Sequence, residues 1–389
     1  MKELNSGICA IEGISTWGIK EGKYGLAIIL AEGFAVAVYT QNKVIAAPLV
    51  VTKNHLESQE GRIKAIIVNS GNANACTGQK GIEDAEEMCK ILAQKLNCKK
   101  EEILVASTGI IGRLLSVDKI KQQIDKVMPG IASGSVASQK TAEAIITTDT
   151  TIKQFAVETV GNVHVGGIAK GAGMIAPNMA TMLAFICTDA CLPYDVLQDC
   201  LQKSVDKSFN MTIVDGDTST NDMTILITTG KRECNVTEFQ QALDTTCINL
   251  ARMMAKDGEG ATKLIELTVT GAETPDDAKK IARTILTSPL VKTAIFGEDP
   301  NWGRIIAAAG RSGANMNQKK ITLKFSDKND SATTIDKGNI LETTSKIKKI
   351  MKSDTINIEL DLNIGKATAA GWGCDLTYEY VKINAKYRT

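Results

Sequence analysis

The residues with the clearest chemical potential lie in one stretch, residues 170–184, where a lysine and two glycines precede Pro177 and a threonine, Thr181. Residues 182–187 form an apolar run that is typical of a buried strand. A threonine where a loop meets a strand is held rigidly and can face a cleft, which suits a nucleophile. Because a threonine that begins a strand is more often structural, the rest of the chain decides between these interpretations.

The scarcity of histidine restricts how such a hydroxyl could be activated. The chain has two histidines, His55 and His164, and neither lies near a Gly-x-Ser-x-Gly turn or a cysteine signature, so a Ser-His-Asp or Cys-His mechanism is hard to assemble. One remaining route makes Thr181 an N-terminal residue, whose α-amine, with a pKa of about 8, serves as the base. The chain would then be cut between Ala180 and Thr181, by attack of the threonine hydroxyl on the Ala180 carbonyl in an N-to-O shift. The glycine-rich, proline-bearing loop would favour this attack if it strains that peptide bond.

Composition excludes several classes of protein. With 389 residues, 43% hydrophobic, 23% charged and a formal net charge of +1, the chain is typical of a soluble globular protein of two or three domains, and nucleic acid is not expected as a main partner. No apolar run approaches the ~20 residues that span a bilayer, and residues 1–6 lack the apolar core of a secretory signal. We therefore expect a cytoplasmic protein without a membrane partner. The ten cysteines are scattered without a Cys-x-x-Cys motif, which predicts neither a metal site nor a disulfide framework.

Strands and turns must position the candidate residues. Aliphatic runs predict separate strands at residues 24–31 and 33–40, and further strands at residues 64–68 and 103–106. The last of these runs into Ser107-Thr108-Gly109, a strand–turn–helix pattern that can present a hydroxyl and backbone N–H groups together. Most such turns have no chemical role.

The second half of the chain supplies further polar turns. Residues 215–222 form a polar loop that does not fit the calcium-binding spacing, and a self-bonded turn beside a ligand pocket is the favoured interpretation. A Thr-x-x-Gln capping box predicts a helix from about Thr237 to residue 255, which leaves Glu259 on a glycine-flanked turn. A change in residue composition predicts a domain boundary near residue 270. Alternating apolar residues predict a strand over residues 376–383.

Several motifs together resemble those of the ornithine acetyltransferase family of arginine biosynthesis. The resemblance is very specific and covers essentially the whole chain, with looser agreement over the first twenty or so residues and over residues 325–355. The motifs that carry it are Gly-Ala-Gly-Met-Ile-Ala-Pro-Asn-Met-Ala-Thr (171–181), Asn-Ser-Gly-Asn-Ala-Asn-Ala (69–75), Ser-Thr-Gly-Ile-Ile-Gly (107–112), Thr-Thr-Asp-Thr (147–150), Asp-Gly-Asp-Thr-Ser-Thr-Asn-Asp (215–222), Gly-Glu-Asp-Pro-Asn-Trp-Gly-Arg (297–304) and the tail 384–389.

The resemblance implies a fold and a processing event. The fold would be α+β, with an αββα four-layer sandwich similar to that of N-terminal-nucleophile hydrolases but differently connected. The nucleophile-bearing domain would span residues 1–270, and a smaller C-terminal α/β domain would span residues 271–389, with its tail returning to the active site. The precursor would cleave itself between Ala180 and Thr181 into an α chain and a β chain that assemble as α2β2.

The resemblance also implies an activity. Thr181 would accept acetyl from N2-acetylornithine and pass it to glutamate in a ping-pong reaction, with Thr108 and Gly109 as the oxyanion hole. No cofactor or metal is expected, and acetyl-CoA stays open as a second acetyl donor. The residues matching the family's substrate-binding positions are Thr147, Lys170, Thr181, Glu259, Asn384 and Thr389.

Two alternatives stay open from the sequence. The chain could be a related amidase or acyltransferase that uses another acyl donor, or an uncleaved metabolite-binding protein. For Lys170 and Glu259 the simpler interpretation is a solvated loop charge, and for Asn384 and Thr389 it is a frayed tail.

Overall fold

The structure, a computed structural model, describes residues 1–176 and 182–386. Ala180, Thr181 and Thr389, which carry part of the sequence-based interpretation, lie outside the described residues. The described strands are β1 (Lys2–Leu4), β2 (Ser15–Glu21), β3 (Tyr24–Tyr39), β4 (Arg62–Asn72), β5 (Ile103–Ile110), β6 (Lys153–Glu158), β7 (His164–Lys170), β8 (Leu183–Cys191), β9 (Thr212–Ile213), β10 (Met223–Glu233), β11 (Leu264–Ala272), β12 (Thr322–Ser326), β13 (Ser331–Asp336), β14 (Asn339–Ile340), β15 (Thr355–Asp361) and β16 (Ala367–Cys374).

Helices alternate with these strands along the chain. Short 3-10 helices add Gly7–Ala10, Lys100–Glu102, Met128–Gly130 and Phe209–Met211. The described α-helices are α1 (Ala47–Ser58), α2 (Gly78–Leu96), α3 (Val117–Val127), α4 (Ser135–Ile145), α5 (Tyr194–Lys207), α6 (Val236–Lys256), α7 (Pro275–Leu286), α8 (Pro289–Phe296), α9 (Trp302–Gly310), α10 (Thr344–Ile350) and α11 (Tyr378–Lys386).

The first sheet is organised around the long strand β3. Its described strands follow the order β1-β6-β7-β8-β10-β3-β4-β5, with β2 also paired to β3. The first part of β3 pairs with β2 and β4, and residues 34–39 pair with β10. The register shifts between Leu30 and Gly33, where the strand changes partners. The two parts of the sheet on either side of this shift can therefore stack on each other while remaining one hydrogen-bonded sheet.

Alternation of side chains along the strands builds three apolar cores. In β8, Leu183 and Phe185 face a core that they share with Ile66 of β4, so this core lies between the two stacked parts of the sheet. The opposite face of β8, which carries Ile186, packs against α5 and α6. The opposite face of β4, which carries Ile67, packs against α2 and α3. The order helix, sheet, sheet, helix confirms the predicted αββα sandwich.

A second sheet follows in the C-terminal part of the chain. Its described strands have the order β14-β13-β12-β15-β11-β16-β9. The buried apolar residues of β11, β15 and α7 belong to the same core as those of α5 and α6, so the second sheet is joined to the sandwich through a common apolar core. The predicted boundary near residue 270 falls within β11, and the division into 1–270 and 271–389 stays a prediction.

Three local predictions were wrong for identifiable reasons. The two strands predicted at 24–31 and 33–40 are one strand, because the chain passes Gly33 with a register shift instead of a turn. Helix α6 agrees with the predicted bounds, but the predicted capping box is wrong: the N-cap is Asn235, whose side chain accepts the Thr237 N–H at 2.8 Å.

The third wrong prediction concerns the C-terminal segment. Most of the strand predicted at 376–383 is helix α11, which is N-capped by the Thr377 hydroxyl through the Tyr380 N–H at 3.2 Å. The alternating pattern led to the wrong prediction because no residue of α11 is buried. The positions of its apolar residues are therefore not set by packing against a core. Within the described residues, no helix is both long and apolar enough to cross a membrane.

Candidate active site

A cavity of about 220 Å³ opens where the ends of β5 and β7 meet the segment after α4, the turn after α6 and the helix α11. The residues that line it include every sequence-predicted site residue that the structure describes. These are Thr108, Gly109, Thr147, Lys170, Glu259 and Asn384. Five segments of the chain therefore converge on one space, although the individual roles of these residues stay predictions.

The strand order explains how these segments meet. Lys170 at the end of β7 pairs with Leu183 at the start of β8, and Leu183 pairs in turn with Met223 at the start of β10. The parallel strands β4 and β5 deliver their carboxyl ends at Gly71 and Gly109, which are also register partners. Met182, which directly follows Thr181 in the sequence, donates its N–H to Asp222 Oδ1 at 2.8 Å.

Thr108 and Gly109 lie in the last part of β5, against β4, and not in the turn that the sequence predicts. Thr108 is 5% exposed, and Gly109 has a φ of +131°, which disfavours residues with a side chain. A Cβ atom on Gly109 would lie 2.4 Å from the carbonyl carbon of Gly71. This close approach of two backbones restricts the end of β5 at Gly109, where the resemblance places the oxyanion hole.

Asn221 is a pocket residue that the sequence analysis did not single out. Its Nδ2 donates to the carbonyl oxygens of Ala73 at 2.6 Å and Ser107 at 2.9 Å, while its Oδ1 accepts the Thr220 hydroxyl. Asn221 therefore ties the polar loop before β10 to the ends of β4 and β5. The signal available from the sequence was the polar loop at residues 215–222, which predicts a self-bonded turn. The Asn221 N–H donates to Ser219 Oγ, which confirms that the loop is bonded to itself.

The tight contact at Gly109 gives a testable prediction. We expect Gly109→Ala to lower the melting temperature and to abolish any activity of the cavity, because overpacking against Gly71 adds about 1–3 kcal/mol to the cost of the positive φ. The matched control is Gly112→Ala, since Gly112 also has a positive φ, +80°, but meets no atom within 4 Å. Equal melting temperatures of the two variants would show that the contact with Gly71 is not constraining.

Lys170 brings a buried positive charge to the cavity. The residue is 2% exposed, and its Nζ lies 4.0 Å from Asp149 Oδ2. Burial holds the pKa of Lys170 below its ordinary value, and the Asp149 carboxylate is the strongest opposing influence. Burial likewise disfavours the charged form of Asp149, but the charges of Lys170 and Lys153 outweigh it and hold the Asp149 pKa below its usual range. The predicted interpretation of Lys170 as a solvated loop charge is therefore excluded.

Glu259 and Asn384 form a second polar part of the cavity lining. The Glu259 N–H donates to the Ala172 carbonyl at 2.7 Å, which fixes the turn after α6 against the glycine-rich segment. Asn384 Nδ2 donates to Glu259 Oε2 at 2.9 Å, so α11 brings Asn384 to the cavity. Gly173 makes room for the carboxylate, since a Cβ there would lie 2.4 Å from Glu259 Cδ.

Asp222 is a second residue missed by the sequence analysis. It is fully buried, and burial raises its pKa well above the usual range for a carboxyl, although the Met182 N–H and the Lys170 charge oppose this. Among the described residues its Oδ2 meets no hydrogen-bond partner. Its proximity to Met182 places a buried carboxyl beside the start of β8, and nothing in the spacing of the sequence indicates that contact.

The arrangement suits an amino-acid ligand. A buried ammonium can bind a carboxylate, whereas a carboxylate and an amide oxygen in the second polar part of the lining can bind an ammonium. Thr108 and Gly109 line the same cavity, and their role as an oxyanion hole stays a prediction. Within the described part of the chain, no cluster of three His, Cys, Asp or Glu residues could hold a metal ion, and all ten cysteines are unpaired.

Comparisons with a family model and with individual proteins both point to one family. The model of the ArgJ family matches residues 12–389. The glutamate N-acetyltransferase of Methanosarcina mazei is 50% identical, with all of both chains covered. The arginine biosynthesis bifunctional protein ArgJ of Archaeoglobus fulgidus is 46% identical, with 98% of this chain and 100% of that protein covered.

The chain is also similar to a solved structure. It is ornithine acetyltransferase from Mycobacterium tuberculosis in complex with ornithine, which is 36% identical with a TM-score of 0.43 and covers 45% of this chain and 97% of that one. The family match spans nearly the whole sequence, and relatives at 46–50% identity span both partners almost completely. The chain belongs to the ArgJ family.

Proposed function

We propose that this protein is a glutamate N-acetyltransferase that takes acetyl from N2-acetylornithine, as part of arginine biosynthesis. The observation that carries the proposal is the convergence of Thr108, Gly109, Lys170, Glu259 and Asn384 on one cavity. Lys170 suits the α-carboxylate that acetylornithine and glutamate share, and Glu259 with Asn384 suits an ammonium group. The names and near-complete coverage of the relatives in Methanosarcina mazei and Archaeoglobus fulgidus support the same activity.

The reaction would proceed in two acyl transfers. The Thr181 hydroxyl attacks the acetyl carbonyl of acetylornithine, and its α-amine accepts the hydroxyl proton. The N–H groups of Thr108 and Gly109 stabilise the oxyanion until the C–N bond breaks. Ornithine then leaves with that proton on its amine, and the acetyl group remains as an ester on Thr181. The amine of glutamate attacks this ester by the reverse sequence, which gives N-acetylglutamate and restores the threonine hydroxyl.

Self-cleavage supplies the α-amine in this proposal. Attack of the Thr181 hydroxyl on the Ala180 carbonyl breaks the peptide C–N bond, which frees the α-amine of Thr181 and leaves an ester; water then hydrolyses this ester to the Ala180 carboxylate and the free threonine hydroxyl. The mature protein would contain chains 1–180 and 181–389, and we propose an α2β2 assembly. Acetyl-CoA could supply acetyl to the same threonine, which would make the enzyme bifunctional.

The decisive experiment incubates the purified protein with N2-acetylornithine and glutamate and measures N-acetylglutamate by mass spectrometry. We expect one N-acetylglutamate for each ornithine released. Release of acetate in its place would identify an amidase, and binding without turnover would identify a metabolite-binding protein. A parallel reaction with acetyl-CoA and no acetylornithine tests the second donor.

A further inference from the structure

A buried charge network lies directly behind the cavity wall. Lys153 on β6 is 0% exposed. Its Nζ donates to Asp149 Oδ1 at 2.6 Å, to Asp257 Oδ2 at 2.6 Å and to the Thr151 carbonyl at 3.2 Å. These contacts account for all three ammonium protons. Lys153 therefore has no capacity left for a ligand, and its contacts serve the protein itself.

Asp149 connects this network to the cavity. Its side chain is fully buried, and Oδ1 also accepts the Gly171 N–H at 2.6 Å. Oδ2 accepts the Thr147 N–H at 3.0 Å and faces Lys170 Nζ at 4.0 Å. One carboxylate thus holds the backbone on the C-terminal side of Lys170, the backbone of Thr147 and the charge of Lys170.

Asp257 connects the network to the turn that carries Glu259. It follows α6 directly and lies two residues before Glu259. Its carboxylate accepts the N–H groups of Thr150 at 3.1 Å and Thr151 at 3.3 Å, as well as the Thr150 hydroxyl. The network consequently ties together the three segments that carry Thr147, Lys170 and Glu259.

The charges around Lys170 show which partner matters most. Positive charge comes from Lys153 and from Lys20 on β2, whose own pKa is lowered to about 8 by burial and by Lys170. Negative charge comes from Asp149, Asp222 and Glu259. Burial raises the pKa of Asp222, while the pKa of Asp149 is held low, so Asp149 is the buried neighbour that carries a full negative charge. Its contact with Lys153 offsets the cost of burying that carboxylate.

We propose that Asp149, held in place by Lys153, is the positioning residue that keeps the Lys170 ammonium charged in the cavity and thereby makes the site selective for acyl donors bearing an α-carboxylate. Asp149 acts through Lys170 and does not itself touch substrate. The identity of the donor rests on the proposed function, but the charge relation between Asp149 and Lys170 does not.

The test compares two donors that differ only in the carboxylate. N-acetylputrescine is acetylornithine without its α-carboxylate, so the ratio of kcat/KM for the two donors measures the selectivity. In Asp149→Asn we expect kcat/KM for acetylornithine at pH 8 to fall about 10- to 100-fold, since a hydrogen bond or ion pair to a charged group is involved, while N-acetylputrescine changes little. The acetylornithine defect should shrink as the pH falls, because Lys170 regains its proton.

The control and the independent readout make failure recognisable. Asp84→Asn removes another buried carboxylate, on α2 and paired with Lys80, and should leave the donor ratio unchanged. Competitive labelling of Lys170 with acetic anhydride across a pH range, read by peptide mass spectrometry, reports its charge without any substrate. We expect the onset of labelling in folded Asp149→Asn to move to lower pH. The proposal would be overturned if Lys170 begins to be labelled at the same pH in Asp149→Asn and wild type, or if kcat/KM falls equally for both donors. If the labelling pH shifts but the wild type transfers no acetyl, only the proposed function would be overturned.

Discussion

Thr181→Ala is expected to give a single band near 41.6 kDa on a denaturing gel and to form no acetyl-enzyme. Alanine removes the hydroxyl that would attack the Ala180 carbonyl, so neither the cut nor the α-amine can form. We expect the wild type to run as two smaller bands. Mass spectrometry of the wild-type fragments should place a new N-terminus at Thr181.

A conservative variant separates chemistry from folding. Thr181→Ser keeps a hydroxyl, so we expect it to be cleaved, at a reduced rate, and to retain part of the activity. Thr188→Ala removes the hydroxyl of a buried threonine on β8, which donates to the His164 carbonyl; it controls for the loss of a threonine hydroxyl as such and should still be cleaved. Two bands from Thr181→Ala would refute self-cleavage by this hydroxyl.

Lys153→Met is expected to lower the free energy of unfolding by about 3–5 kcal/mol, since removing one partner of a buried ion pair leaves an uncompensated charge. Here the substitution strands two carboxylates, Asp149 and Asp257. Urea unfolding should be measured in the Thr181→Ala background, where one continuous chain avoids a dissociation step.

A second buried lysine provides the matched control. Lys292 is 3% exposed, but its Nζ donates to the neutral Cys374 carbonyl. Lys292→Met leaves a carbonyl and no carboxylate behind, so we expect a smaller loss, about 1–3 kcal/mol. Adding Asp149→Asn to Lys153→Met should recover part of the stability. Equal losses for the two lysines would show that the carboxylates do not set the cost.

The layer order and the membership of the cavity could be predicted from the sequence, because motifs fix local geometry and the resemblance orders them. Thr108 lies near the end of a buried aliphatic strand, and Glu259 follows a long amphipathic helix, so both carry local signals. Lys170 and Asn384 carry none, and only the resemblance separated them from ordinary surface charge or a frayed end.

The network behind the cavity could not be predicted in the same way. Asp149 and Lys153 are four residues apart, but Asp257 is more than a hundred residues away, and sequence spacing does not report a contact of that kind. Asp222 was noticed only as part of a polar loop, since its burial depends on β8 and β10 lying side by side. Helix α11 was misassigned because its exposed apolar residues imitate the pattern of a half-buried strand.

The strand order has a consequence for the two pieces that cleavage would create. In the first sheet, β8 and β10 lie between β7 on one side and β3 on the other. A cut before Thr181 would leave β7 and β3 in one polypeptide and β8 with β10 in the other, so a pair of strands from the second fragment lies between strands of the first. Each fragment alone would expose two open sheet edges, which are prone to aggregate. We therefore expect the precursor to fold before it is cut, and fragments produced separately to reassemble poorly.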